Sequence, residues 1–272
     1  MFLRMKLCLG ALAFLCLVSR APADSVQDEL TAAQLVETAA LARFHSSART
    51  ATDRAQVEKV TQVYARLVQK YPRDASVREA FGAFLWQTEN RDAAFAQWQA
   101  GEKLDPQNAG LAFHLAHSWL DLGEAKKATR YFERAAQLAP KVALYHYNLG
   151  NALFLFRHEM TDANSPDADA VAQRALEQFR LASELETLNV EFAKAYAETF
   201  YLVAKPDWNA ALLAWQRYRD LSGNNDLANT HLARVSLKMG RKEQARAFLE
   251  QISDPKFNSS KNRLWQQMDV QK

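Results

Sequence analysis

A constant offset of 34 residues lays one stretch of this chain over the next. Ala75 falls on Ala109, Phe81 on Leu115, Gly82 on Ala116, Leu85 on Trp119, Ala94 on Ala128, Trp98 on Phe132, Gly101 on Ala135, Leu104 on Leu138 and Pro106 on Pro140. A fixed period of this length marks a repeat architecture, because one unit cannot bury its apolar face alone and must stack on a neighbour. Phe81 and Leu85 lie four apart on one helix face, and Ala94, Trp98 and Gly101 form a second face after a short break. Small residues at Gly82 and Ala94 let the two helices approach closely, so a bulky substitution there should overpack by about 1–3 kcal/mol. Pro106 and Pro140 fall where one helix pair must turn into the next, and Gly123 suits the left-handed residue that ends a helix.

The two clear repeats, 75–108 and 109–142, set the register for the rest. Before them, 24–74 reads as an N-terminal helix pair: one helix from Ser25 to Arg49, capped by Asp24 or Ser25, and one from about Asp53 to Tyr71. A third repeat, 143–189, begins with Tyr145, Leu149, Gly150 and Leu153 in register, but its second helix, with Ala175 and Phe179, arrives 13 residues late. The insertion near 157–169 contains Asn164-Ser165-Pro166-Asp167, a turn followed by a helix start, and predicts two lengthened helices projecting from the stack. Repeats at 190–225 and 226–257 follow, the former with about two extra residues in its turn. A last helix over 258–272, capped by Asn258 or Ser259, carries Leu264, Trp265 and Met268 on one side and closes the open end.

The order of residue types, Phe81, Gly82, Leu85, Ala94, Trp98, Gly101 and Pro106, resembles the tetratricopeptide repeat (TPR) family, and the resemblance covers most of the chain beyond residue 50. It implies an all-α fold: a right-handed superhelical solenoid of antiparallel helix pairs, about five repeats plus terminal capping helices. With only 8 glycines and 7 prolines, the composition argues against disorder.

The first 23 residues stand apart. They run from a basic start (Arg4, Lys6) through an apolar core (Leu7 to Val18) to Ala21-Pro22-Ala23, the pattern of a secretory signal cut before Asp24. The apolar core is short for a bilayer span, which makes a retained anchor the lesser reading. Both cysteines, Cys8 and Cys16, lie in this segment, so the mature chain would have no disulfide, thiol catalysis or cysteine metal site. Loss of Arg4, Lys6 and Arg20 takes the formal charge from +3 to zero. A neutral mature chain gives no electrostatic reason to propose nucleic acid as a partner. The expectation is an exported protein of the TPR type, periplasmic or extracellular, with no transmembrane segment in the mature chain.

The resemblance implies that the first helix of each pair lines a concave groove. At matching positions one row reads Trp86, Leu120, Phe154, Tyr201 and Leu237; a second Glu79, Phe113, Tyr147, Lys194 and Thr230; a third Ala83, His117, Asn151, Glu198 and Arg234. His114 and Asn148 lie one step from these rows. Asn148 and Asn151 can pair with both N–H and C=O of an extended backbone, while Phe113, Tyr147 and Phe154 offer apolar pockets. The alternative is packing, which suits Leu120 and Leu237, with the Asn and His residues solvated. In some TPR proteins Lys, Asn and Arg across three repeats clamp a C-terminal carboxylate; Tyr147 and Ala195 depart from that set.

His114 and His117, three apart on one helix, also raise a metal-dependent hydrolytic enzyme, with His146 or Glu198 as a third ligand. His158-Glu159 begins like a zinc-protease motif but lacks the second histidine, and Asp162, Asp167 and Asp169 lack the glycine and closing glutamate of a calcium loop. No phosphate loop or nucleophile elbow is present in the sequence. The sequence therefore predicts a non-catalytic scaffold, without cofactor or metal, binding a protein or peptide partner. Enzymatic hydrolysis and self-association through the insertion are the alternatives.

Overall fold

The computed structural model describes residues 25–45, 50–161 and 167–270. The secretory-signal pattern at 1–23 and the Asn164-Ser165-Pro166 turn lie outside them. The chain forms two compact units that divide after Pro106.

The first unit contains α1 (Val26–Phe44), α2 (Ala51–Lys70), α3 (Ala75–Gln87) and α4 (Arg91–Leu104). Ser25 caps α1 by accepting the Asp28 N–H. The second helix starts earlier than the sequence pattern suggested. Thr50 accepts the Asp53 N–H, and the Asp53 carboxylate accepts the Thr50 N–H at 2.8 Å, a reciprocal capping box that places Asp53 inside the first turn. The buried Tyr64 ties this pair together by donating its hydroxyl to Glu37 at 2.5 Å. Its ring stacks on Phe81 and Phe84 of α3 at 5.5 and 5.6 Å. Between α3 and α4, Gly82 meets the buried Trp98 ring so closely that a Cβ on the glycine would lie 2.3 Å from the indole nitrogen. That nitrogen donates to the Glu79 carbonyl at 3.2 Å.

The second unit contains α5 (Ala109–Asp121), α6 (Ala125–Leu138), α7 (Ala143–Leu155), α8 (Ala168–Leu185), α9 (Val190–Thr199), α10 (Trp208–Ser222), α11 (Asp226–Lys238), α12 (Lys242–Glu250) and α13 (Asn258–Val270). Asn108, Asn189 and Asn225 cap α5, α9 and α11 by accepting the N–H three residues on. The Gly82–Trp98 arrangement returns here: Ala116 shares a core with Phe132, and a Cβ on Gly150 would meet the Phe179 ring at 2.8 Å. On α13, Leu264 and Met268 join the core that Leu232, Ala233 and Leu249 build, so this helix covers the end of the last pair. It begins directly from a 3-10 turn, Pro255–Phe257, opened by Asp254, and Asn258 is already helical rather than a cap.

Three first helices end in the same way. The N–H groups of Asn90, Glu124 and Arg241 return to the carbonyls of Leu85, Trp119 and Ser236, with a left-handed residue just before each: Glu89 at φ 68°, Gly123 at 75° and Gly240 at 71°. This is the Schellman closure, and the first repeat makes it with a glutamate where the others use glycine.

The third repeat departs from the expectation of two lengthened helices. α7 keeps the 13 residues of α3 and α5, and only α8 is lengthened, to 18 residues against 14 in α4 and α6. Asp167 caps the added turn through the Ala170 N–H. Asp169 in that turn accepts the N–H of Ala204 at 2.5 Å. Ala204 lies in the irregular link after the 3-10 turn Phe200–Leu202, where the fourth repeat carries its own extra residues.

Candidate functional site

Between α7 and α9 the second unit opens a cleft of about 160 Å³, bordered by Tyr147, Asn151 and Phe154 on one side and Lys194 and Glu198 on the other. Phe179 of α8 forms its floor, and Gly150 allows it to sit against α7. Tyr147 packs on Phe179 at 5.8 Å and on Phe192 at 4.6 Å, and Phe154 meets the Phe179 edge at 6.5 Å. The volume is near the roughly 150 Å³ that holds a benzene ring. Opposite the rings, Lys194 and Glu198 form an i,i+4 pair at 3.9 Å. Both are half-buried. Five of the residues predicted from the groove rows thus meet in one place. The Asn151 side chain makes no hydrogen bond within the described residues, whereas Asn148 spends an amide hydrogen on the Leu144 carbonyl of its own helix at 2.8 Å. The expected pair of ligand-facing asparagines therefore reduces to Asn151 as the one whose donors are uncommitted.

Phe113, His114 and His117 lie on α5 in an aromatic cluster. The His117 ring meets Phe113 edge-on at 4.7 Å and Phe132 at 5.1 Å, and Phe113 packs on Tyr145 at 4.8 Å. Burial, then the neighbouring His117, pushes the His114 pKa down to about 4, and burial lowers that of His117. Both imidazoles are therefore neutral at ordinary pH. His146 is buried and faces elsewhere: one ring nitrogen is 3.0 Å from the Pro140 carbonyl and the other 2.8 Å from the Gln178 side chain. Its two nitrogens hold a turn to α8, which leaves neither for the third-ligand role considered above. Among the described residues, no group of three or more His, Cys, Asp and Glu could hold a metal ion.

Tyr201 and Arg234 form a further cluster around His231. The Tyr201 hydroxyl is 3.0 Å from His231 Nδ1, and an Arg234 nitrogen lies 3.2 Å from the same atom. Because a guanidinium only donates, Nδ1 accepts and the imidazole proton sits on Nε2. His231 stacks on Trp215 at 4.0 Å, with planes 3° apart. Burial, then the Arg234 charge, drives its pKa to about 3, so it stays neutral; burial pushes the Tyr201 pKa up to about 12. The row that runs through His114 and Asn148 continues to His231, a position that sequence reasoning passed over. Thr230, beside it, is buried and donates its hydroxyl to the Asp226 backbone carbonyl of its own helix. Leu237, from the first row, is also buried, in agreement with its packing role.

No family model matches the chain, and no curated protein matches it. Solved structures do. The chain is similar to YrrB, a TPR protein with an unusual peptide-binding site, at a TM-score of 0.62 and 15% identity over 76% of this chain and 99% of that one. It is also similar to PilF of Pseudomonas aeruginosa, at a TM-score of 0.55 and 14% identity over 90% and 99% of the two chains. A MamA structure gives 0.51 at 16% identity over 65% and 88%.

Proposed function

We propose that this chain, which has the tetratricopeptide-repeat fold, is a non-catalytic exported scaffold that binds an extended peptide segment of a protein partner in the α7–α9 cleft. The observation that carries the reading is the cleft itself: an aromatic floor sized for one large side chain, beside Asn151 with its hydrogen-bonding groups uncommitted. An apolar residue of the peptide enters over Phe179, and Asn151 meets the adjacent backbone N–H and C=O. Lys194 and Glu198 favour polar residues on the opposite side. YrrB, with its peptide-binding site, supports the same use of this fold. Export rests on the basic, apolar and small-residue order of residues 1–23. No helix of the described residues is long and apolar enough to cross a membrane.

The test places a photo-crosslinking amino acid at Asn151 or at the exposed Arg130 in cells expressing the full chain. A discrete adduct is expected from position 151 alone, reduced about tenfold by Phe154→Ala, in keeping with loss of an aromatic contact worth more than about 1 kcal/mol. Identical adducts from both positions would remove the cleft from consideration.

A further inference from the structure

A second and larger cleft, of about 640 Å³, lies between α11 and α13 in the same unit. Arg234 and Lys238 project into it from successive turns of α11, and Arg263 and Gln267 from successive turns of α13. Leu237 and Leu264, both buried, form its base. Three cations line the cleft, and no aspartate or glutamate does.

These charges are not cancelled elsewhere. Lys238 and Arg263 are exposed, and neither makes an ion pair with a described residue. Arg234 is held in place by partners that leave its charge intact. Its guanidinium lies 5.7 Å from the Tyr201 ring centre and 3.2 Å from the neutral His231 nitrogen. A guanidinium fixed by neutral groups at the wall of the cleft keeps its full charge available to a carboxylate. Arg234 and Lys238 on α11 and Arg263 on α13 share the cleft with apolar and amide side chains, as recognition of a chain rather than of a bare ion requires.

We propose that the α11–α13 cleft binds an acidic peptide segment, whose carboxylates pair with Arg234, Lys238 and Arg263 while its apolar parts lie over Leu237 and Leu264. This rests on the reading of the chain as a peptide-binding scaffold and gives that scaffold a charge preference at a second position.

The probes are an eight-residue peptide of alternating Glu and Ala, its Gln counterpart, inorganic phosphate, and a neutral peptide carrying one Phe. Each is titrated into the mature chain labelled at its backbone amides and followed by NMR. The Glu peptide is expected to shift α11 and α13 resonances, to bind at least about tenfold more weakly to Lys238→Gln/Arg263→Gln, and to weaken as salt screens the charges. Both substituted side chains are exposed, so an unchanged thermal midpoint verifies the fold of the variant. Equal shifts from the Gln peptide, equal shifts from phosphate, or shifts confined to other helices would each overturn the proposal. The Phe peptide separates the two readings. If it leaves α7 and α9 undisturbed while the Glu peptide moves α11 and α13, the α7–α9 assignment fails and this one stands; the reverse pattern sinks this one alone.

Discussion

Replacing Gly82 with alanine should destabilise the first unit, against the usual effect of that change in a helix. At a helical glycine with open surroundings, alanine stabilises by about 1 kcal/mol. Here the new Cβ would stand 2.3, 2.5 and 2.8 Å from three atoms of the Trp98 indole, so the ring must retreat. Trp98 is 1% exposed and its Nε1 is bonded to Glu79, which leaves little room for that movement. Overpacking costs about 1–3 kcal/mol. A weakened buried hydrogen bond adds about 1–3 kcal/mol. Set against the propensity gain, the net loss is about 1–5 kcal/mol, measurable as a lowered urea midpoint for the transition of this unit by circular dichroism. The second repeat supplies the control, since it pairs Ala116 with Phe132 at the equivalent places. Adding Trp98→Phe to Gly82→Ala should therefore cost less than the sum of the two single changes, with a coupling of at least about 1 kcal/mol. An unchanged or raised midpoint for Gly82→Ala, or strict additivity in the cycle, would refute the account of this contact.

Two further outcomes are expected. Glu89→Gly should raise stability by up to about 1 kcal/mol in the same assay, because it removes a side chain from a φ of 68° that Gly123 and Gly240 occupy without penalty. Stability should also fall in mild acid through His114 and His231, whose folded pKa values of about 4 and about 3 lie below the ordinary 6.5. Above 6.5 both states are neutral and the contribution is complete. As pH drops through 6.5, the unfolded chain takes up protons that the fold refuses, and the loss continues down to the folded values. Each histidine accounts for about 2 kcal/mol between pH 7 and pH 5. Burial raises the Glu37 pKa and so acts in the opposite direction; the informative quantity is thus the difference in pH dependence between the wild type and His114→Phe. Equal pH dependence in the two would contradict the neutral assignment of His114.

The repeat register was legible because it records burial. Phe81, Trp98, Phe132 and Phe179 recur where helix pairs must fill space, and the left-handed conformation of Gly123 returns at the ends of α3 and α11. What the sequence hid was settled by local competition. Asn148 and Asn151 look equivalent on paper, yet one bonds its own helix and the other does not. The sequence pattern opened α2 near Asp53, and the reciprocal bonds make Thr50 the cap and place Asp53 inside the first turn. His231 carried the same row as His114, but its importance comes from Trp215 and Arg234, which reach it from other turns. The insertion showed where the period fails but not how the extra chain is used, since a lengthened α7 and a lengthened α8 satisfy the same spacing.

The bond from the Ala204 N–H to Asp169 joins the two places where the 34-residue period breaks: the added turn of α8 and the irregular link before α10. Loss of either irregularity would leave the bonding group of the other without this partner. A lineage that trimmed the third repeat back to standard length would leave the link of the fourth without its anchor. Recombination that exchanged one of these repeats for a regular copy would meet the same obstacle. Repeats three and four are thus joined at their irregular parts, and the cleft walled by α7 and α9 lies between the same two repeats.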